Sequence, residues 1–364
     1  FYFVIVLTIE KEWNLNYDEL ISLWTLGALL IGLGALPAGW LSDRWSRSSM
    51  MVIMFLGMGL SSILCGFSNE KFSLFIGLSI LGLSCSIYHP VGISWVVNSS
   101  KKKGFALGIN GIFGGLGIGS GAFIAGILLK YFNWKLAFIL PGIVSILIGI
   151  ILIFSIIYKS VSYKNTSNYE SANIKTSNNL FIIAFIMLFS MFGLGLTFQI
   201  MQTSIPKVFD IRIDNLSTFG IGSIIGFIYA IAGLMTLFGG IIADKFSLKK
   251  IYLIGIFAQV PCFFCISFFT GIPLIAVSLI AAMFNSSILP TENILLAKFT
   301  PEKHHGLIYG FKFIVAFGSA PIAVFLISKI YEQTQEFRDL FYISAILMLL
   351  VTIAVLFLPV RKYQ

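Results

Sequence analysis

The sequence predicts an all-α membrane protein with twelve transmembrane helices arranged in two similar six-helix bundles. Three observations lead to this fold class. Of the 364 residues, 58% are hydrophobic and only 11% are charged, against about 25% charged in an average soluble domain. The apolar residues form continuous runs of about 20, the length of a membrane-spanning helix. Landmarks in the first half of the chain recur in the second half at a nearly constant offset.

This composition excludes several classes of protein. A soluble enzyme, a nucleic-acid-binding domain or a disordered chain could not hide so much apolar surface, because one compact core stops growing at about 250–300 residues. An outer-membrane barrel is excluded because its strands alternate apolar and polar residues over about 10 positions. The net charge of +9 then indicates Lys and Arg in cytoplasmic loops rather than a nucleic-acid partner.

Twelve apolar segments define the predicted spans, which we number in chain order. They are 1–9, 20–41, 50–67, 72–97, 104–129, 135–158, 180–204, 218–242, 251–270, 272–297, 307–330 and 338–359. The first is too short to cross a bilayer core of about 30 Å at 1.5 Å per residue. Because the chain also begins with Phe1, we expect the first helix to be truncated in this sequence.

The loops between these spans predict the orientation. Fifteen Lys and Arg residues lie on one side and eight on the other, which makes the first side cytoplasmic and places both termini there. We therefore expect a multi-pass protein of an inner (cytoplasmic) or plasma membrane. The longest polar stretch, residues 159–179, predicts a flexible cytoplasmic linker between one bundle at 1–158 and another at 180–364.

An internal repeat relates the two halves. Gly39 and Asp43 follow span two, and Gly240 and Asp244 follow span eight, at an offset of 201 in both cases. Pro90 in span four corresponds to Pro290 in span ten at an offset of 200. Gly104 and Gly306, at the starts of spans five and eleven, differ by 202. Four landmarks at nearly the same offset indicate a duplicated six-helix unit, as in many transporters.

The residues after span two also identify a family. The stretch G-W-L-S-D-R-W-S-R at 39–47 resembles the signature loop of the major facilitator superfamily, and G-I-I-A-D-K-F-S-L-K-K at 240–250 resembles its second copy. Asn133-Trp134-Lys135 is similar to the W-R turn of that family. Ile87-Tyr88-His89-Pro90 resembles the F-H-P element of fosmidomycin-resistance-type exporters, although Val91 stands where those proteins have Glu.

The resemblance implies a conformational latch in these two loops. Its residues would be Gly39, Asp43, Arg44, Arg47, Gly240, Asp244 and Lys245. In the family, the loop carboxylate meets the start of span eleven, here near Gly306, and Asp244 would meet span five near Gly104. The favourable interaction of Asp with a helix N-terminus supports such a contact. The alternative is that Asp43 is a solvated loop carboxylate beside Arg44.

Glycines and prolines predict two further features of the spans. Span five carries glycines four residues apart, for example Gly111 and Gly115, a spacing that favours tight packing against a neighbouring helix in lipid. The antiporter motif of the family has proline where this chain has Leu116. Pro90 and Pro290 each remove a backbone hydrogen bond, so they are expected to kink spans four and ten. Such kinks either have no functional role, or they shape a substrate site or act as bending points.

Three ionisable residues lie inside predicted spans, where they are costly and mark functional sites. Glu292 and Lys312 lie at similar depths in consecutive spans, so they could form a structural ion pair or one that opens when substrate or a proton arrives. His89 is either a hydrogen-bonded core residue or a proton carrier, since histidine titrates near neutral pH.

In the resembling family, spans one, four, seven and ten line the central cavity. Carried over by position, and with the repeat-related span-five and span-eleven residues added, the expected substrate and proton cavity is lined by Ser86, Tyr88, His89, Asn110, Gln199, Gln202, Thr203, Asn285, Thr291, Glu292, Asn293 and Lys312. Hydroxyls, amides and few charges suit a small polar or amphipathic solute.

The leading functional hypothesis is a secondary active transporter that works by alternating access and is coupled to protons. The chain has no nucleotide-binding P-loop, no catalytic cluster, and no predicted metal site, cofactor or nucleic-acid partner. We expect a monomer in the lipid bilayer whose other partners are a small-molecule substrate and H⁺. The alternative is a non-transporting sensor or assembly factor on the same fold.

Overall fold

A computed structural model describes residues 2–93, 95–96, 103–158, 180–299 and 305–358. Within these ranges, the side chains of Asp43, Asp244 and residues 103–108, 180–181, 297–299 and 305–311 are not described. The predicted linker at 159–179 lies outside the described residues. The division of the chain at that linker therefore stays a prediction, and we use "N-terminal bundle" for spans one to six and "C-terminal bundle" for spans seven to twelve.

The described residues form helices that match the predicted spans in order. Spans one to six are Tyr2–Trp13, Tyr17–Ser22 with Thr25–Arg44, Arg47–Gly66, Lys71–Cys85 with a π-helical turn at Tyr88–Gly92, Lys103–Tyr131 and Trp134–Ile157. Spans seven to twelve are Leu180–Arg212, Thr218–Lys245, Leu248–Phe257 with Gln259–Ile266, Gly271–Ser287 with Leu289–Phe299, His305–Thr334 and Arg338–Leu356. Eleven of these segments are long and apolar enough to cross a membrane, which confirms a multi-pass, all-helical membrane protein.

Side-chain caps show how local sequence starts several spans. Ser46 accepts a hydrogen bond from the Ser49 N–H at the start of span three, and Asn133 accepts one from the Leu136 N–H at the start of span six. Such caps satisfy N–H groups that have no partner within the helix. At these two positions the helix therefore begins at a polar residue that lies shortly before an apolar run.

One predicted boundary is wrong by two helical turns. Span seven was expected to end at residue 204, but the helix continues to Arg212. The hydropathy of the sequence falls at Lys207 and Asp210, yet both residues belong to the helix. Their side chains, three residues apart in sequence, form an ion pair at 3.2 Å. Lys207 therefore belongs to the C-terminal end of span seven rather than to a loop.

The repeated glycines and prolines contact each other in the same way in both bundles. A Cβ atom built on Gly39 would lie 3.3 Å from Pro90 Cβ, and one built on Gly240 would lie 3.9 Å from Pro290 Cβ. At both prolines the helix is irregular: span four forms its π-helical turn at Tyr88–Gly92 and span ten is interrupted between Ser287 and Leu289. Each landmark glycine thus leaves room for the kinked helix beside it.

Close glycine contacts also join the two bundles. Span five packs along span eight, and a Cβ atom built on Gly115 would lie 2.3 Å from the Cα of Gly233. Span two meets span eleven, where a Cβ on Gly32 would lie 3.3 Å from the Gly318 nitrogen. The glycine stripe of span five therefore serves an inter-bundle contact.

Candidate functional site

A buried ion pair lies between spans ten and eleven. Lys312 Nζ is 2.7 Å from Glu292 Oε1, and the two residues are 7% and 2% exposed. Glu292 lies in the first turn after the break in span ten. Lys312 also donates a hydrogen bond to Asn293 Oδ1. The two charges that the sequence placed at similar depths are therefore in direct contact.

Two residues that the sequence reasoning missed extend this pair. The Tyr252 hydroxyl on span nine lies 3.0 Å from Glu292 Oε2 and 2.9 Å from Ser190 Oγ on span seven. Both residues are buried. A tyrosine in an apolar helix is a recognisable signal, because a buried hydroxyl usually has a hydrogen-bond partner. We call Ser190, Tyr252, Glu292, Lys312 and Asn293 the polar cluster; it connects four spans of the C-terminal bundle.

The N-terminal bundle has a neutral counterpart. The Tyr88 hydroxyl on span four donates a hydrogen bond to Asn110 Oδ1 on span five at 3.0 Å. Asn110 and Lys312 occupy corresponding positions of the repeat, at an offset of 202. In both bundles a polar side chain near the start of the fifth helix therefore bonds to the kinked fourth helix.

His89 lies among aromatic rings rather than beside a charge. Its ring centroid is 4.6 Å from that of Phe317 and 5.5 Å from that of Phe313, both on span eleven, and 5.1 Å from that of Tyr88. No hydrogen-bond partner of His89 occurs among the described residues. Phe313 and Phe317 are nearly parallel, at 14°. We call these four residues the aromatic cluster. It joins the N-terminal bundle to the C-terminal bundle.

Other predicted cavity residues have local partners. The Ser86 hydroxyl donates to the Leu83 carbonyl at 2.7 Å, and Asn285 Nδ2 donates to Gln259 Oε1 at 3.2 Å. Gln199 and Gln202 are half-buried on span seven, whereas Thr203 is buried. The buried Thr291 hydroxyl has no hydrogen-bond partner within the described part of the chain. That all of the predicted residues line one central cavity therefore stays a prediction.

A small cavity lies within the C-terminal bundle. Its volume is about 10 Å³, roughly the space of one water molecule. It is lined by Thr197, Phe198, Met201, Tyr229, Phe263, Ala281, Ala282 and Asn285. The Tyr229 hydroxyl is buried and forms no hydrogen bond with any described residue. This cavity is therefore too small in this conformation for an organic solute.

The predicted latch is described only in part. The Asp43 and Asp244 side chains and the helix starts around Gly104 and Gly306 lie outside the described side chains. Arg44 is exposed and lies 4.0 Å above the ring of Trp40. Lys245 is also exposed. The assignment of these loops as a latch stays a prediction.

The opposite, predicted outer end of the molecule is closed by contacts between the bundles. Lys207 on span seven bonds to both carboxylate oxygens of Glu10 on span one, at 2.9 and 2.7 Å. Tyr17 donates a hydrogen bond to the Thr203 carbonyl at 3.1 Å, and its ring lies 5.2 Å from that of Tyr331. These contacts hold spans one and two against spans seven and eleven.

The described side chains contain no group of three or more His, Cys, Asp or Glu that could hold a metal ion. The arrangement consists instead of one buried ion pair, its hydrogen-bond partners and a nearby set of rings. It presents a buried carboxylate, a buried ammonium group and the faces of several aromatic rings.

The fold and the site thus define a multi-pass helical membrane protein with a polar core between packed spans. Comparison with known families matches the Major Facilitator Superfamily over residues 1–235 and 180–364, and the chain belongs to that superfamily. This membership confirms the family resemblance of the signature loops.

Several characterised members are similar to part of the chain. The riboflavin transporter of Clostridioides difficile is 30% identical over 148 residues, covering 39% of this chain and 32% of that protein. The niacin transporter of Acinetobacter baylyi is 26% identical, covering 41% and 34%, respectively. The 4-hydroxybenzoate transporter of Pseudomonas aeruginosa is 25% identical, covering 40% and 33%. In these matches the chain spans about a third of each relative's length.

Proposed function

We propose that this protein is a secondary active transporter that moves a small, planar, polar or amphipathic solute by alternating access, coupled to protons. Membership of the superfamily supports transport over catalysis. The names of the similar proteins point to aromatic organic solutes, namely riboflavin, niacin and 4-hydroxybenzoate. The excess of Lys and Arg in one set of loops supports an inner or plasma membrane location with cytoplasmic termini.

The aromatic cluster is the observation that carries this proposal. His89 belongs to the N-terminal bundle, and the two phenylalanines that it contacts belong to the C-terminal bundle. Parallel and tilted rings at these distances are favourable for stacking a further aromatic molecule. A planar solute bound there would contact both bundles at once. Its binding would then favour one arrangement of the bundles over another, as alternating access requires.

Counterflow in proteoliposomes tests the proposal. Vesicles loaded with unlabelled riboflavin, niacin or 4-hydroxybenzoate should accumulate the corresponding labelled compound from outside, whereas vesicles without protein should not. An imposed pH gradient should increase uptake if protons are coupled. Binding without counterflow for every compound would instead indicate the alternative function, a sensor or assembly factor on the same fold. Light scattering of the purified protein in detergent would test the expected monomer.

The latch is the second part of the proposed mechanism. Asp43→Asn should slow transport severalfold while solute binding survives, because the amide cannot interact with a helix N-terminus as a charge does. Asp214→Asn is the control, since Asp214 is exposed at the opposite end of the molecule. Normal turnover in Asp43→Asn would show that Asp43 is a solvated loop residue.

A further inference from the structure

The C-terminal bundle contains a second layer of polar side chains, two helical turns from the polar cluster. On spans seven, nine and ten, a member of the polar cluster lies seven positions from a further polar residue. These pairs are Ser190 and Thr197, Tyr252 and Gln259, and Glu292 and Asn285. Seven residues are nearly two turns, so the further residues lie on the same helix faces about 10 Å away. We call them, together with Tyr229 on span eight, the second polar layer.

Three members of the second polar layer line the small cavity of the C-terminal bundle. The buried Tyr229 hydroxyl has no hydrogen-bond partner among the described residues. Asn285 uses its Nδ2 to bond to Gln259 Oε1, which leaves Oδ1 as an acceptor. The Thr197 hydroxyl gives its single hydrogen to the Gly193 carbonyl, so its oxygen can only accept another. The residues around the cavity therefore offer one donor and two acceptors.

One water molecule has the complementary groups. It can accept the hydrogen of the Tyr229 hydroxyl and donate its own two hydrogens to Asn285 and Thr197. Buried waters typically make about three hydrogen bonds. The cavity volume of about 10 Å³ is close to what one water needs. Because an unpaired buried hydroxyl is unfavourable, a water here stabilises the second polar layer.

A cation does not suit the same cavity. The described residues that line it are all neutral, and a buried charge without a counter-charge is strongly unfavourable. The Tyr229 hydroxyl also has a hydrogen to give, and a cation cannot accept it. The donor and acceptor balance therefore favours water over sodium or another small cation.

We infer that this cavity is a binding site for one water molecule, which accepts a hydrogen bond from Tyr229 and donates to Asn285 and Thr197. The water joins span eight to spans seven and ten. It lies outside the polar cluster, and it does not depend on the proposed transport function.

The water also positions a neighbouring side chain. Its hydrogen bond to Asn285 Oδ1 keeps Nδ2 directed at Gln259 Oε1. Gln259 in turn donates from Nε2 to the Gly255 carbonyl at 3.0 Å. This carbonyl lies just before the break in span nine, where the regular helical bonds are interrupted. The second polar layer thus supports the backbone at that break.

The repeat shows that the second polar layer belongs to one bundle only. Tyr229, Gln259 and Asn285 correspond to Ala28, Met58 and Cys85 at offsets of 201, 201 and 200. In the N-terminal bundle, spans two and four meet directly: a Cβ atom built on Gly82 would lie 2.1 Å from the Gly27 carbonyl oxygen. Direct backbone contact there takes the place of the polar side chains.

The polar cluster follows the same rule. Tyr252 corresponds to Met51 at an offset of 201, and Glu292 corresponds to Gly92 at 200. These counterparts also meet, since a Cβ atom on Gly92 would lie 3.7 Å from Met51 Cε. The contact between the third and fourth helices of a bundle is thus apolar in the N-terminal bundle and ionisable in the C-terminal bundle.

A high-resolution structure of the purified full chain tests the site directly. We expect one water peak within about 2.6–3.2 Å of the Tyr229 oxygen and at a similar distance from oxygens of Asn285 and Thr197. The peak should persist when sodium in the buffer is replaced by choline. A direct hydrogen bond between Tyr229 and Asn285 without a peak, no peak at all, or a peak that requires sodium would each overturn the inference.

Tyr229→Phe gives a thermal-unfolding test in which the sign is diagnostic. If the hydroxyl donates to a water, its loss removes a hydrogen bond, and Tm should fall by about 1–3 °C. If the hydroxyl has no partner, phenylalanine removes an unsatisfied group and Tm should rise. Tyr2→Phe is the calibration, because that buried hydroxyl donates directly to the Leu20 carbonyl. A Tm that does not fall in Tyr229→Phe would contradict the water site.

A double-mutant cycle tests whether the water connects two spans. Tyr229→Phe and Thr197→Val should have non-additive effects on Tm, because each removes one partner of the same water. The control pair is Tyr229→Phe with Ser204→Ala, since the Ser204 hydroxyl bonds to the Ile200 carbonyl of its own helix two turns further along span seven. Additive effects in the first pair, or equal non-additivity in both pairs, would refute the bridge. These measurements need no transported solute, so their outcome is independent of the transport function.

Discussion

Replacement of Lys207 with methionine should open the predicted outer end of the molecule. Lys207 on span seven bonds to Glu10 on span one and to Asp210 on its own helix. Its ammonium group also lies 5.6 Å from the ring centroid of Tyr17 and 5.9 Å from that of Tyr331. One side chain thus connects charged and aromatic groups of both bundles. Without it, Glu10 and Asp210 remain as two like charges.

The size of the effect follows from the geometry. The side chains of Lys207 and Glu10 are 8% and 18% exposed, so water screens the pair only partly. A hydrogen bond to a charged group contributes about 1.5–3 kcal/mol, and the remaining carboxylates repel each other. A loss of about 2–3 kcal/mol would shift the ratio of closed to open molecules roughly 30- to 150-fold. An open state populated at about 1% would then make up about a quarter to three-fifths of the molecules.

Distance measurements between spin labels would detect this shift. Cysteines at Glu12 and Asp214 place one label on the outer end of each bundle, since both positions are exposed, in a background without the four native cysteines. Lys207→Met should add a longer distance to the distribution. Arg212→Met is the control, because Arg212 pairs with Glu336 at the same end but within one bundle. An unchanged distribution in Lys207→Met, or the same change in Arg212→Met, would refute the gate.

Three further predictions concern the packing and the site. Gly115→Ala should destabilise the protein in thermal unfolding by about 1–3 kcal/mol, because its Cβ would overpack against span eight. Gly114→Ala is the control: nothing lies within 4 Å of its new Cβ, so it should be neutral or slightly stabilising. Equal effects of the two substitutions would contradict the contact between spans five and eight. Single substitutions of Glu292 and Lys312 should be non-additive in a double-mutant cycle of thermal stability, with a coupling of about 1–3 kcal/mol, and additivity would mean that the pair does not form. His89→Gln should weaken binding of aromatic solutes because a stacking ring is lost, and unchanged binding would contradict the stacking role.

The sequence predicted the spans well because hydropathy reports burial in lipid directly. The prediction of span boundaries failed where a helix continues through charged residues. The expected end of span seven at 204 came from the polar stretch that includes Lys207, but that lysine pairs with Glu10, a residue 197 positions away. A contact between distant parts of the chain does not change the mean hydropathy of a short segment. Only the folded structure could therefore show that the helix continues.

The sequence predicted those residues of the candidate site whose types are rare in apolar spans. Glu292 and Lys312 were found because charges in apolar spans are costly and few. A tyrosine in an apolar helix signals a hydrogen-bond partner, but Tyr252 and Ser190 were missed because tyrosine and serine are common in such spans. A serine hydroxyl also usually bonds within its own helix. The residue types alone could not show which hydroxyl faces a carboxylate.

The duplicated scaffold offers a physical reason for confining the ionisable groups to one bundle. The glycine–proline contacts recur in both bundles, so both can kink in the same way, but only the C-terminal bundle carries a carboxylate and a lysine at the contact. A buried ion pair in each bundle would double the desolvation cost. With one pair, the neutral Tyr88–Asn110 hydrogen bond links spans four and five of the other bundle without a buried charge. Transferring the charges to the N-terminal bundle, with Asn110→Lys and Gly92→Glu, should therefore lower the thermal stability, because Met51 there cannot replace the Tyr252 hydroxyl. An unchanged or raised thermal stability of that variant would refute this reasoning.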